Sequence, residues 1–82
     1  MAFKIEFTPI TIDSTGAAIT TATVKNVDTG EKYFEEVIRV ESFEFSDEAT
    51  LKEAIKSKTA GFAARVEAIE KAKELEGLTI SL

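Results

Sequence analysis

Fifteen carboxylates and ten bases, with no histidine and no cysteine, bound the chemistry open to this 82-residue chain. Without imidazole or thiol there is no Ser-His-Asp or Cys-His nucleophile, no thiolate or imidazole metal site and no ordinary neutral-pH proton shuttle. The four glycines sit at turns, a cap and a kink, so no glycine-rich phosphate loop exists. What remains is carboxylate and lysine chemistry, which needs a buried pair of shifted pKa in a pocket. A domain this small seldom has room for one. We therefore expect no catalytic residue, no cofactor and no metal.

Two acidic sets are weighed before they are set aside. Asp28, Thr29 and Gly30 form the tripeptide that carries the catalytic aspartate of aspartic proteases. Here Asn26 and Val27 precede it and Glu31, Lys32 and Tyr33 follow, instead of apolar strands on both sides, and the chain is short for that fold. An Asp-x-Gly between two strands is an ordinary hairpin turn. Asp13, Glu44, Asp47 and Glu48 could gather at one end of a sheet, yet they lack the spaced ladder of a calcium loop. Neither set supports an activity.

The acids do cluster elsewhere. Over residues 35–48 six of them, Glu35, Glu36, Glu41, Glu44, Asp47 and Glu48, stand against Arg39 alone. Either these line a solvated strand face leading into an acidic helix start, or they meet a basic partner.

The elements that would position these groups are legible from period and punctuation. Residues 45–77 read as one long amphipathic helix, or two in series. Ser46 offers an N-cap hydroxyl, and Asp47 and Glu48 place negative charge in the first turn. Leu51, Ile55, Phe62, Val66 and Ile69 recur at helical spacing and form one stripe. Glu48 with Lys52, and Glu67 with Lys71, are i,i+4 pairs in the favourable order. Gly77 is placed for a C-cap. Gly61 interrupts the pattern and allows a kink or break near 58–61, with Thr59 then free to cap a second helix. Ala64, Ala68, Ala72 and Leu75 widen the apolar arc beyond it.

Everything before the helix reads as the sheet it must cover. Phe3, Ile5 and Phe7 alternate with Lys4 and Glu6, the mark of a half-buried strand over 3–12. At Pro9 the parity flips to Ile10 and Ile12, which places an edge or a bulge there. Residues 13–16 make a turn, a Thr-rich second strand spans about 17–27, and 28–30 make the next turn. On that second strand Ala18, Ala22 and Val24 share a face small enough to admit a bulky residue such as Phe62. A third strand covers about 31–45, with Phe34, Ile38 and Val40 on one side and Phe43 and Phe45 on the other; a bulge would explain the change. Leu78, Ile80 and Leu82 alternate as a short last strand. The expected fold is one α+β domain over 1–82. It has a mainly antiparallel sheet of three to four strands in the order β-β-β-α-β, covered on one face by the helix. The last strand is placed beside the first, with a place beside the third as the alternative.

The net charge of −5 disfavours direct binding to nucleic acid or to an anionic membrane. No apolar run of signal or transmembrane length occurs. That fits a cytoplasmic protein or a component of a viral particle, and the layout is one common among small virus- and phage-encoded proteins.

A surplus of apolar residues carries the functional expectation. The strands present them on both parities, Phe3, Ile5, Phe7, Val37, Phe43 and Phe45 against Ile10, Ile12, Phe34, Ile38 and Val40, while one helix covers one face. Either bulges rotate them into a single core or a patch is left over. The expected function is a small acidic, non-enzymatic interaction or assembly module whose partner is a protein or a second copy of itself. The alternative is an acidic inhibitor that binds the basic, nucleic-acid-binding surface of a target.

Overall fold

The structure, a computed structural model, describes residues 2–75. Its elements in chain order are β1 (Phe3–Phe7), β2 (Thr11–Ile12), β3 (Ala18–Asn26), β4 (Lys32–Val40), a 3-10 turn (Ser42–Glu44), α1 (Glu48–Lys58) and α2 (Phe62–Glu74). The expected Gly77 cap and the strand carrying Leu78, Ile80 and Leu82 lie outside the described residues.

β3 is the centre of an antiparallel sheet, with β1 and β2 along one side of it and β4 along the other. β1 and β2 are one strand interrupted at Pro9. Phe7 faces Ala22 while Thr11 faces Ile19, so four steps on the first strand match three on β3. This is the bulge that the parity flip at Pro9 requires. It is held by hydroxyls: Thr20 Oγ1 donates to the Thr8 carbonyl at 2.7 Å, and the Thr21 N–H donates to Thr8 Oγ1 at 2.9 Å. Among the described residues Thr20 is thereby the one buried polar residue of the core, and it is satisfied.

A second bulge lies elsewhere than expected. Val24 faces Phe34 but Lys25 faces Lys32, which leaves Tyr33 as the extra residue. Near Phe43 there is no bulge, because β4 has already ended at Val40. Glu41 and Glu44 close a capping box around the 3-10 turn, and the backbone leaves the sheet there. The change of parity at Phe43 is an exit from the strand.

Cross-strand partners share a face. Ile5, Val24 and Phe34 therefore form one row, and Ile12, Ala18 and Val40 another, all on the face that the helices pack against. The two apolar parities of the sequence merge into one face. The opposite face carries Lys4, Glu6, Thr21, Thr23, Lys25, Glu35 and Arg39, and Val37 is the large apolar residue exposed among them.

The core is Ala18, Ala22, Val24, Ile38 and Val40 from the sheet against Phe62 and Val66 from α2. Leu51, Ala54 and Ile55 of α1 pack against it half-buried. Phe62 does enter the cluster that the small alanines leave room for. It meets Phe34 edge-on at 5.1 Å between ring centroids.

The long helix breaks where Gly61 predicts. Thr59 is not the cap of α2, however. Its Oγ1 donates to the Lys56 carbonyl at 3.0 Å and so closes α1, while Gly61 opens α2 without a side-chain bond. Asp47 replaces Ser46 as the first cap, accepting from the Thr50 N–H at 2.8 Å. A carboxylate there also meets the helix dipole, which a neutral hydroxyl does not.

Two glycines make opposite predictions. Gly16 has φ of 86°, and a Cβ there would stand 3.3 Å from Ser42 Cβ. Gly61 has φ of −86°, and a methyl group added to it would meet nothing within 4 Å. In urea titrations Gly16→Ala should therefore destabilise by about 1–2 kcal/mol, whereas Gly61→Ala should stabilise by about 0.5–1 kcal/mol.

Candidate functional site

The helices do not cover the sheet evenly. α1 and α2 cover β3 and β4, and the strand formed by β1 and β2 is left partly bare. Phe7 and Ile10 are each 46% exposed and Ile12 is 59% exposed. Between this edge and α1 lies an open groove of about 500 Å³. Ile5, Phe7, Pro9 and Ile10 line it from the sheet, Ile55 lines it from α1, and Lys52 and Lys56 stand on its helical side.

The bulge is what shapes it. The extra residue takes Pro9 and Ile10 out of the pairing with β3, while Thr8 stays bonded to Thr20 and Thr21, and proline contributes no N–H to the edge. The groove also contains Thr8, Thr20 and Thr59, but their hydroxyls are already used. Thr20 binds the Thr8 carbonyl, Thr8 accepts from Thr21, and Thr59 binds the Lys56 carbonyl. The wall thus offers a guest carbon, with two ammonium groups at the rim. Among the described residues no carboxylate lines it, so it has no acid–base pair to offer a substrate.

The sequence-predicted residues divide between this site and others. Ile10 lines the groove and Ile12 is exposed beyond it. Ile38 and Val40 are 3% and 1% exposed, and Phe34 is half-buried beneath the Arg65 guanidinium, 3.9 Å from its ring centroid. These three are core or cover, and present no docking surface. They share a sheet face with Ile12, but they lie under the helices while Ile10 and Ile12 stand at the open edge. Phe7, Pro9, Ile55, Lys52 and Lys56 were not singled out as a site. The flip at Pro9 was the only signal that pointed towards them.

The acidic run is dispersed among the chain's own bases and caps. Glu36 pairs with Arg65 at 2.8 Å, Glu41 with Arg39 at 2.6 Å, Glu44 with Lys58 at 3.2 Å and Glu48 with Lys52 at 3.1 Å. Glu35 lies 3.7 Å from Lys32 on the opposite sheet face, and Asp47 caps α1. The Glu44 carboxylate is held below its usual range first by the Glu41 N–H and then by Lys58. Asp47 is lowered by its bonds to Thr50. Exposed pairs such as these contribute little stability each, but they draw the six carboxylates to separate partners.

Asp28 occupies an exposed turn in which Asn26 Oδ1 accepts from the Asp28 and Thr29 N–H groups at 2.8 and 3.0 Å. Gly30 completes that turn with φ of 74°. A smaller cavity of about 380 Å³ lies nearby, bordered by Asn26, Asp28, Tyr33, Glu67 and Glu70. The Tyr33 hydroxyl donates to Glu70 and accepts from Asn26 Nδ2, and the Glu70 bond leads the upward push on its pKa. This tyrosine ties the sheet to α2. Of the four acids considered for a cation, Asp13 binds Arg39, Glu44 binds Lys58, Asp47 caps α1 and Glu48 pairs with Lys52.

Compared with protein-family models, with curated proteins and with solved structures, the chain matches none. Among the described residues, no helix is long and apolar enough to cross a membrane.

Asp13 gives a pH test of the sheet end. Its carboxylate accepts from Thr15 Oγ1 at 2.6 Å and from the Thr15 and Ala17 N–H groups, and binds Arg39 at 2.7 Å. The Thr15 hydroxyl first, and Arg39 second, hold it far below the ordinary aspartate range. A lowered folded-state pKa contributes stability above the unfolded value, near 4, and loses it as pH falls below that. The stability gap between the parent and Asp13→Asn should therefore be widest at neutral pH and narrow below about pH 4. Urea midpoints measured from neutral to acid pH check this; a gap independent of pH would contradict it.

Proposed function

We propose that this chain is a non-enzymatic interaction module that docks through the groove between its β1–β2 edge and α1, with self-association the simplest form of that docking. One observation carries the reading. Apolar side chains meet at a concave place, where Phe7, Ile10 and Ile55 converge around about 500 Å³ of open space. Concave apolar sites with a few polar groups at their margin are where ligands and partner side chains bind. Contiguous apolar exposure of this kind marks interfaces more often than it marks ordinary surface.

The physical role of the edge follows from its sequence. A long, flat edge strand would invite strand addition, but this one is five residues, a bulge with proline, and two residues. Backbone pairing across it is interrupted. At this edge, side-chain insertion into the groove is the mode left open. The reading of an acidic decoy for a nucleic-acid-binding protein draws no comparable support, since the carboxylates it would use are engaged within the chain.

Light scattering over a concentration series, at low and high salt, tests the proposal. Apolar docking predicts a mass above that of one chain that survives high salt, since screening weakens exposed ion pairs and leaves apolar contact intact. Ile10→Asp should weaken the association by ~tenfold or more, with little loss of fold stability because Ile10 is half exposed. A monomer at every concentration and salt would remove self-association. A mass that collapses with salt would point to charge as the driving force.

A further inference from the structure

The groove needs an apolar guest, and the chain exposes one. Phe43 is 87% exposed, the most exposed of its large apolar residues among those described. It stands at the centre of the 3-10 turn between Glu41 and Glu44. That turn is fixed from both sides. Arg39 grips Glu41, Lys58 grips Glu44, and the Glu41 N–H donates to Glu44 at 2.8 Å. An aromatic side chain on a fastened turn loses little conformational freedom on binding, which is what a docking anchor requires.

We propose that Phe43 is the knob that fills the groove of a second copy of this chain, in a reciprocal two-fold pair. This rests on the docking role of the groove proposed above and names its occupant. Three features fit knob to hole. The first is chemistry: the groove wall offers carbon and no free side-chain hydroxyl, so the guest must be a side chain with no polar atoms in its buried part, and a phenyl ring is one.

The second is size. A closed apolar cavity of about 150 Å³ already accommodates a benzene ring, and the groove is wider, about 500 Å³. It has room for the ring and the edge of the turn that carries it.

The third is charge and placement. Glu41 and Glu44 flank the knob, while Lys52 and Lys56 edge the groove. Among the described residues Lys56 has no carboxylate within ion-pair distance. Both acids already hold a base, so this complementarity orients the encounter more than it tightens the complex. The helix that walls the groove also holds the turn that carries the knob. Lys58 bonds to Glu44 at 3.2 Å, and the next residue, Thr59, lines the groove. In a two-fold pair each Phe43 enters the other chain's groove, and the contact closes on itself.

Complementation decides the matter. Phe43→Asp removes the knob and keeps the groove, while Ile10→Asp spoils the groove and keeps the knob. Both sites are exposed, so both variants should fold, which circular dichroism and urea titration check. Each variant alone should run as a monomer at concentrations where the parent has the mass of two chains. An equimolar mixture restores one of the two contacts, so by light scattering it should associate at lower concentration than either variant alone, though at higher concentration than the parent. If Phe43→Asp dimerises as tightly as the parent while Ile10→Asp does not, the groove docks something else and Phe43 is not the knob. If the mixture associates no more readily than either variant alone across the concentration series, the reciprocal arrangement is wrong. If the parent itself is a monomer throughout, the self-association beneath this inference fails as well.

Discussion

The structure depends on one packing constraint: a sheet with a single apolar face must be sealed by a helix that breaks partway. β3 supplies the seat, since Ala18 and Ala22 are small enough for Phe62 and Val66 to come down onto the sheet. Burying those two side chains contributes roughly 1.5–3 kcal/mol each in transfer terms. Everything else adjusts to that contact. The break at residues 59–61 lets α1 and α2 take different directions over the sheet, and Tyr33 and Arg65 fasten α2 to β4 through Glu70 and Glu36. Arg65 serves twice, since its guanidinium also covers the Phe34 ring.

The same constraint produces the groove. Two short helices centred on β3 and β4 do not reach across the strand formed by β1 and β2. The bulge at Pro9 then takes Pro9 and Ile10 out of the pairing with β3, and the uncovered strip is concave there. Fold and candidate site have one cause. A continuous, proline-free first strand would have lain flat and paired fully with β3, leaving an exposed edge in place of a pocket.

Much of the fold was legible because the punctuation was local. Pro9, Gly16, Gly30 and Gly61 each act within a few residues of themselves, and the elements they separate formed where period and turn chemistry placed them. The exceptions have long-range or competing causes. Asp47 outcompetes Ser46 as a cap by virtue of its charge. Phe43 changes parity because Glu41 and Glu44 close a turn, which alternation alone does not register. The site was less legible. It joins residues 5–10 to residues 52–59, and no spacing rule connects them. Burial was decisive for Phe34, Ile38 and Val40. The sequence marks them as apolar, but whether a helix stands above them is a property of the tertiary arrangement.

The account's central claim is that apolar contact at the groove face, and not the charged sheet face, brings molecules together. A methyl-resolved NMR dilution series reads this residue by residue. The account predicts concentration-dependent shifts at Ile10, Ile12 and Ile55, with Val37 and Ile19 on the opposite side of the sheet unchanged. Shifts confined to Val37 and Ile19, or none at any concentration, would contradict it.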